Sequence, residues 1–324
     1  MNIAAYDDVT ELDVQNLRAI VELQRSKFRA EGEVTYATRI DRLKRLKALI
    51  VENKKEFATT TKREYNNARS YEFSLFSEFA SKVEAIDYSM KHLKRWMKAE
   101  SRKTNTPMNL LGGKSQVRYY PKGVVGIISP WNLPFGLTVA PLTSALAAGN
   151  RAMLKPSEYV PETAALFAEV VPKYFSEDEV AVVTGGAEIS QRFAELPFDH
   201  ILFTGSTRVG AQVMQAAAKI LVPVTLELGG KSPFIVFEDA DIESAVNGSV
   251  SGIFAATGQT CIAGSRLLVQ NSVKDEVSQR LVDMAKTAKI GDPMKPDTNI
   301  GPVTTAPQFA KIREYIEIAQ SEGA

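Results

Sequence analysis

Cysteine is almost missing: Cys261 is the one thiol in 324 residues. A lone cysteine excludes an internal disulfide and fits a reducing compartment, so a cytoplasmic location is expected. Histidine is nearly as scarce, with only His92 and His200. A zinc centre needs a Cys/His cluster, and a Cys–His hydrolase needs an imidazole beside its thiol. One thiol and two distant imidazoles provide neither. An excess of either charge is also missing, since 39 basic and 38 acidic residues leave a net +1. That balance gives no broad electrostatic footprint for nucleic acid or an anionic membrane. The start, "MNIAAYDDVTELD", has no basic region followed by an apolar run, so no signal peptide is expected. Internal repeats and low-complexity segments are absent too.

Charge is missing locally as well. Residues 123–150 contain no ionisable side chain, which is long enough for a membrane span. Pro130, Pro134 and Pro141 interrupt it, with Ser129 and Asn132 near its middle. A lone spanning helix would tolerate those breaks badly, so the stretch reads as strand, loop and buried helix.

What is present is a regular pattern. Hydrophobic residues make up 44% and charged residues 24%, the balance of a globular chain. Ile40, Leu43, Leu46, Leu49 and Ile50 recur at helical spacing, and a second helix is expected over 72–98, where "KHLKRWMK" reads as a solvated face. Around "GGK" (112–114) two short apolar runs predict a β-hairpin within 106–120. Beyond Gly123, the strand-like runs "VVGIIS", "RAMLKP", "AVVTG", "HILFTG" and "PVTLEL" alternate with helical patterns at 135–148, 161–174, 189–196 and 207–219. This alternation predicts an α/β fold, a doubly wound parallel sheet. A second region starts near Gly229: a strand at "PFIVFE", a helix near 242–257 capped by Asp239 or Asp241, a strand at "RLLVQ" and a helix over 274–289.

Ligands on such sheets bind at the carboxyl ends of the strands, so the residues that follow each strand are the candidates. Asn132, in "PWNLP", is a donor for a developing oxyanion or a turn residue bonded to its own backbone. Lys155 and Glu158, in "KPSE", suit a ribose or phosphate, or form an ordinary polar turn. Thr204, Gly205, Ser206 and Gly210, in "TGSTRVG", enter a helix whose first amides can hold an anion; the alternative is a tight strand–helix turn. The Rossmann G-x-G-x-x-G is absent, and Ala211 replaces the lysine of a P-loop. Glu227 ends an apolar strand, where partial burial would raise its pKa toward that of a general base; alternatively it bonds the Gly229–Gly230 turn. Cys261 lies in a loop of Gln, Thr and Gly, a poor hydrophobic pocket. It reads either as a nucleophile or as a buried structural thiol.

Together, "PWNLP", "ALAAGNRAMLKPSE", "FTGSTRVG", "LELGGKSPFIV" and "GQTCIA" occur in the order and rough spacing of the aldehyde dehydrogenase superfamily, which the chain resembles over nearly its whole length. The wording is most similar to the class 3-like branch and its bacterial coniferyl aldehyde dehydrogenases. The resemblance implies a Rossmann-like NAD-binding domain over 1–228, with 106–120 as an oligomerisation arm, and part of a catalytic domain over 229–324. It implies NAD-dependent oxidation of an aldehyde, of aromatic class, to the carboxylate. In that scheme Cys261 is the nucleophile, and Asn132 with the Cys261 amide holds the oxyanion. Glu227 is the base that activates water. Lys155, Glu158, Thr204, Gly205, Ser206, Gly210 and Leu228 are the cofactor contacts, and Glu158 favours NAD over NADP. Leu133, Phe135 and Leu137 are candidates for the substrate entrance. Small-molecule aldehydes and further copies of the chain are the implied partners. The family's Glu-x-Phe-Gly-Pro motif does not occur, so the resemblance implies a catalytic domain incomplete within these residues. The competing expectation is a non-catalytic nucleotide-binding or scaffolding module.

Overall fold

The uncharged stretch folds as strand, loop and helix. A computed structural model describes residues 11–65, 75–292, 295 and 297–323. Among the described residues the first helices are α1 (Glu11–Glu31), α2 (Tyr36–Tyr65) and α3 (Ser81–Trp96), the last preceded by a π-helical turn at Leu75–Ala80. The expected 72–98 helix is seen from Leu75 as a π-helical turn followed by α3, and its first residues, 72–74, lie outside the described residues.

Next come five parallel strands: β3 (Val124–Ile128), β4 (Arg151–Lys155), β5 (Val180–Val182), β6 (His200–Gly205) and β7 (Val224–Leu228). They are ordered β5-β4-β3-β6-β7. Helices α4 (Gly136–Ala147), α5 (Pro161–Val170), α6 (Ala187–Ala194) and α7 (Thr207–Ala218) connect them. Alternation within the strands directs side chains to two cores. Val125, Ile127, Ala152 and Leu154 enter one with α2–α5; Val124, Ile128 and Met153 enter the other with α1, α6 and α7. Both faces of β3 and β4 are covered, and every residue in them is buried, as the apolar Val124–Ile128 and Ala152–Leu154 require; Arg151 and Lys155 at the ends of β4 are buried charges.

Two expectations need correction. The hairpin strands are β1 (Glu100–Arg102) and β2 (Ser115–Val117), paired antiparallel. Only the second lies within 106–120. Residues 105–113 instead wind into turns closed by Asn105, Pro107 and Met108 carbonyls, leaving Leu110 and Leu111 each 77% exposed. A two-leucine run with no partner strand lacks the alternation that holds a register. Phe135 is not at an entrance. It is fully buried, with its ring 4.8 Å from Phe57, 4.2 Å from Phe79 and 5.7 Å from Phe167.

Beyond β7, β8 (Pro233–Val236) and β9 (Arg266–Val269) pair in parallel, flanked by α8 (Ile242–Phe254) and α9 (Lys274–Lys286). Asp241, of the two candidates, caps α8: its carboxylate accepts from the Ser244 amide at 2.7 Å. A final helix, α10 (Ala306–Ser321), is capped by Thr305. Among the described residues no helix is long and apolar enough to cross a membrane.

Candidate active site

The sheet order fixes where the site can lie. The chain moves outward from β3 through β4 to β5, then returns to lay β6 on the other side of β3. The loops after β3 and β6 therefore part, and a crevice opens beyond their carboxyl ends. Asn132 follows β3 on one side of it. Gly205 and Ser206 follow β6 on the other.

Asn132 is buried, and its Nδ2 donates to the main-chain oxygen of Gln259 at 2.8 Å. The bond joins the first half of the chain to the Cys261 loop. The Cα of Cys261 is at most about 7 Å from that of Gln259, so the thiol and the carboxamide share one neighbourhood. The alternative of a turn Asn bonded to its own backbone does not hold, since this donor spans 127 residues.

Cys261 is half-buried, which excludes the fully buried structural thiol. The residues before it are unusual. Ala256, Thr257 and Gly258 have φ of 55°, 56° and 72°. Glycine adopts that conformation freely, but a side-chain-bearing residue pays about 1–2 kcal/mol, and a β-branched Thr is an outlier. Such strain persists only where surrounding contacts over-determine it. Gln259 provides those contacts, with its amide and its Nε2 both donating to the Ala256 carbonyl, at 3.0 and 3.2 Å. Sequence reading missed this Gln, because a polar residue in a Gly/Thr loop reads as solvated until its burial is seen.

Glu227 stands beside Thr204, and Leu228 beside Gly205, at the carboxyl ends of β7 and β6. The expectation of partial burial fails, because β7 is an edge strand and Glu227 is exposed. Nor does it bond the Gly229–Gly230 turn, having no side-chain hydrogen bond among the described residues. Burial thus supplies no desolvation there. A water-poor setting for this carboxylate would have to come from a bound ligand or a conformational change.

The two site glycines are explained by packing. A Cβ at Gly205 would stand 2.5 Å from Cζ of Phe203, and one at Gly210 would stand 2.7 Å from Cδ2 of Leu228. The close approach at Gly210 is therefore made by Leu228, a side chain of the same protein. The Ser206 hydroxyl caps α7 by accepting from the Val209 amide at 3.3 Å. The Thr207 and Arg208 amides of that first turn remain available for an anion.

Lys155 ends β4 beside Ile128 of β3. It is 1% exposed, and burial lowers its pKa to about 8, against a smaller opposing effect of the nearby Glu158. Its Nζ donates to the Pro156 carbonyl at 2.8 Å. A buried ammonium with donors to spare, an adjacent carboxylate and the free amides of α7 form a donor and acceptor set that suits a ribose and a pyrophosphate. The two histidines stand apart from this set. His200 opens β6 at its amino end and contacts Thr225 Oγ1 at 2.9 Å; burial, with a lesser contribution from Lys122, lowers its pKa. His92 stacks with Tyr88 and Trp96 on α3.

Comparison with known proteins agrees with this architecture. A probable coniferyl aldehyde dehydrogenase of Caulobacter vibrioides is 38% identical over 308 residues, covering 94% of this chain and 62% of its own. A coniferyl aldehyde dehydrogenase of a Pseudomonas species is 36% identical over 313 residues, covering 95% and 63%. The solved NAD+ complex of a Bacillus cereus aldehyde dehydrogenase superposes with a TM-score of 0.86 at 32% identity, covering 98% of this chain and 63% of that one. The chain thus spans less than two thirds of the length of these relatives. The aldehyde dehydrogenase family model matches residues 3–324, and the chain belongs to that family.

Proposed function

We propose that the protein oxidises an aldehyde, of aromatic, coniferyl-aldehyde-like class, to the carboxylate with NAD. The observation that carries this reading is the Asn132–Gln259 bond, which sets a carboxamide donor beside the only thiol, at the crevice of the parallel sheet. The aromatic class is taken from the names of the two relatives above.

In this reading residues 1–228 form the nucleotide-binding domain and 229–324 belong to the catalytic domain. Lys155 and Glu158 hold the adenine-side ribose. Glu158 accepts from its 2′-hydroxyl and repels a 2′-phosphate, so NAD is favoured over NADP. Thr204, Gly205 and Ser206 line the approach to the pyrophosphate, which the first amides of α7 receive. Gly210 and Leu228 together shape the floor toward the nicotinamide. The dinucleotide, when bound, supplies the hydride acceptor.

The chemistry on the protein side is carried by three residues. The Cys261 thiolate attacks the aldehyde carbon, and the C=O electron pair moves to oxygen, giving a thiohemiacetal. The free N–H of the Asn132 carboxamide and the Cys261 amide receive that oxyanion; neither the Cys261 amide nor this N–H has a partner among the described residues. Loss of hydride from the carbon leaves a thioester on Cys261. Glu227 takes a proton from water, the resulting hydroxide adds to the thioester, and the C–S bond breaks to release the carboxylate and restore the thiol. The protein works in the cytoplasm as a dimer or larger assembly, with the β1–β2 hairpin as its arm.

The test is NADH formation from NAD and coniferyl aldehyde by the protein and its Cys261→Ala variant. Production by the first and none by the second supports the reading. Nucleotide binding without turnover or Cys261 chemistry would instead favour the scaffolding module.

A further inference from the structure

Gln259 is buried, and its four hydrogen bonds converge from three parts of the chain. Its main-chain oxygen accepts from Asn132 Nδ2 at 2.8 Å. Its amide and Nε2 both donate to the Ala256 carbonyl, and its Oε1 accepts from the Thr304 amide at 3.0 Å. The strained turn is tied a second time to the segment before α10, since Thr257 Oγ1 donates to the Gly301 carbonyl at 3.3 Å. No role in the reaction above uses the Gln259 side chain.

We propose that Gln259 is the positioning residue of the oxyanion site, its side chain holding the left-handed turn that aims its own carbonyl at Asn132. The inference rests on the proposed roles of Cys261 and Asn132. A main-chain carbonyl can only accept. It therefore fixes which end of the Asn132 carboxamide faces the loop: the NH2, never the oxygen. One N–H is spent on that bond and the other is left for the substrate oxyanion. Without the side-chain anchors, only the Gln259 amide bond to Ala256 and the Thr257 bond to Gly301 remain to hold Ala256 and Thr257 at positive φ, and the strain favours release. As it relaxes, the Gln259 carbonyl swings away and the carboxamide is free to rotate.

The experiment measures two properties of Cys261 in the intact protein. One is its alkylation rate with iodoacetamide, which reports thiol access. The other is its protection from alkylation by coniferyl aldehyde, which reports the thiohemiacetal and its oxyanion donors. The proposal expects Gln259→Met to weaken protection about tenfold or more, as loss of an oxyanion donor does, while alkylation without aldehyde stays within about threefold of the parent. Asn132→Ala should match it, and the double variant should be no worse than either single one, because both remove the same donor. Normal protection in Gln259→Met alongside lost protection in Asn132→Ala overturns the proposal and leaves the function reading intact. No protection in the parent protein overturns both.

A second variant covers the case in which Gln259→Met does not fold. Gln259→Glu accepts from Thr304 but cannot donate to Ala256 when ionised. Once protonated it can do both. Protection, normalised to the parent at each pH, should be weak at pH ~8 and recover toward pH ~5.5, because burial keeps a carboxyl protonated above its usual range. A flat ratio across that range contradicts the proposal, since a purely space-filling side chain would not regain function with a proton.

Discussion

Asn132 and Gln259 are 127 residues apart in the chain and 2.8 Å apart in space, carboxamide nitrogen to main-chain oxygen. The first follows the central strand of a parallel sheet, and the second immediately precedes the Thr260–Cys261 step of a strained loop. Their bond makes the crevice of the sheet and the environment of the thiol one place.

The glycines of "TGSTRVG" should differ in their tolerance of a methyl group. Gly205→Ala drives its Cβ against the buried ring of Phe203, which belongs to a core cluster and cannot easily move. A loss of about 1–3 kcal/mol is expected, as for other overpacked sites. Gly210→Ala meets the flexible tip of Leu228 and gains up to about 1 kcal/mol in helix propensity. Urea denaturation should therefore show the larger loss for Gly205→Ala.

Lys155 should be a costly residue for the empty protein. Its fall from the ordinary 10.5 to about 8 corresponds to roughly 3 kcal/mol against burying the ammonium. Since the folded value is the lower one, parental stability rises as pH climbs from about 8 to 10.5. Lys155→Met should be more stable than the parent by about 1–3 kcal/mol at pH ~7, allowing for the lost bond to Pro156. The gap should close toward pH ~10.5. The same variant should lose affinity for NAD, measured by calorimetry.

The N-terminal layer should come loose in acid. Burial would push the Glu179 carboxyl up, but hydrogen bonds from Arg45 and Arg42 outweigh it and hold the carboxyl below its ordinary 4.5. A depressed folded value means that the stabilisation is present above 4.5 and lost as pH falls through the folded pKa. Glu179→Gln should cost about 1–3 kcal/mol at pH ~7, and the cost should shrink as the pH falls below 4.5 and the parent carboxylate takes up its proton. Thermal melts over a descending pH series test this.

Legibility followed periodicity. The five sheet strands and their helices could be read because each carries a mostly apolar run or a 3.6-residue repeat, and the candidate site residues could be placed because most of them lie at or just after strand ends. The hairpin was misplaced because the apolar pair Leu110–Leu111 has no strand partner, whereas polar Glu100–Arg102 does. Phe135 is a candidate for the entrance from sequence, which gives no direction for a side chain just before a helix; three distant phenylalanines decide it. The exposure of Glu227 was illegible because an apolar strand does not reveal whether it is central or at an edge. Gln259 escapes sequence reading for a related reason: beyond Ala256, its partners are 45 and 127 residues away, and no local pattern marks a buried polar hub.

The most direct test weighs Cys261 itself. The Glu227→Gln variant is incubated with NAD and coniferyl aldehyde, and its Cys261 peptide is weighed by mass spectrometry. The account predicts an adduct of the aldehyde less two hydrogens on that cysteine, with one NADH formed for each adduct, and neither in Cys261→Ala. NADH produced with Cys261 unmodified throughout, or produced equally by Cys261→Ala, would contradict it.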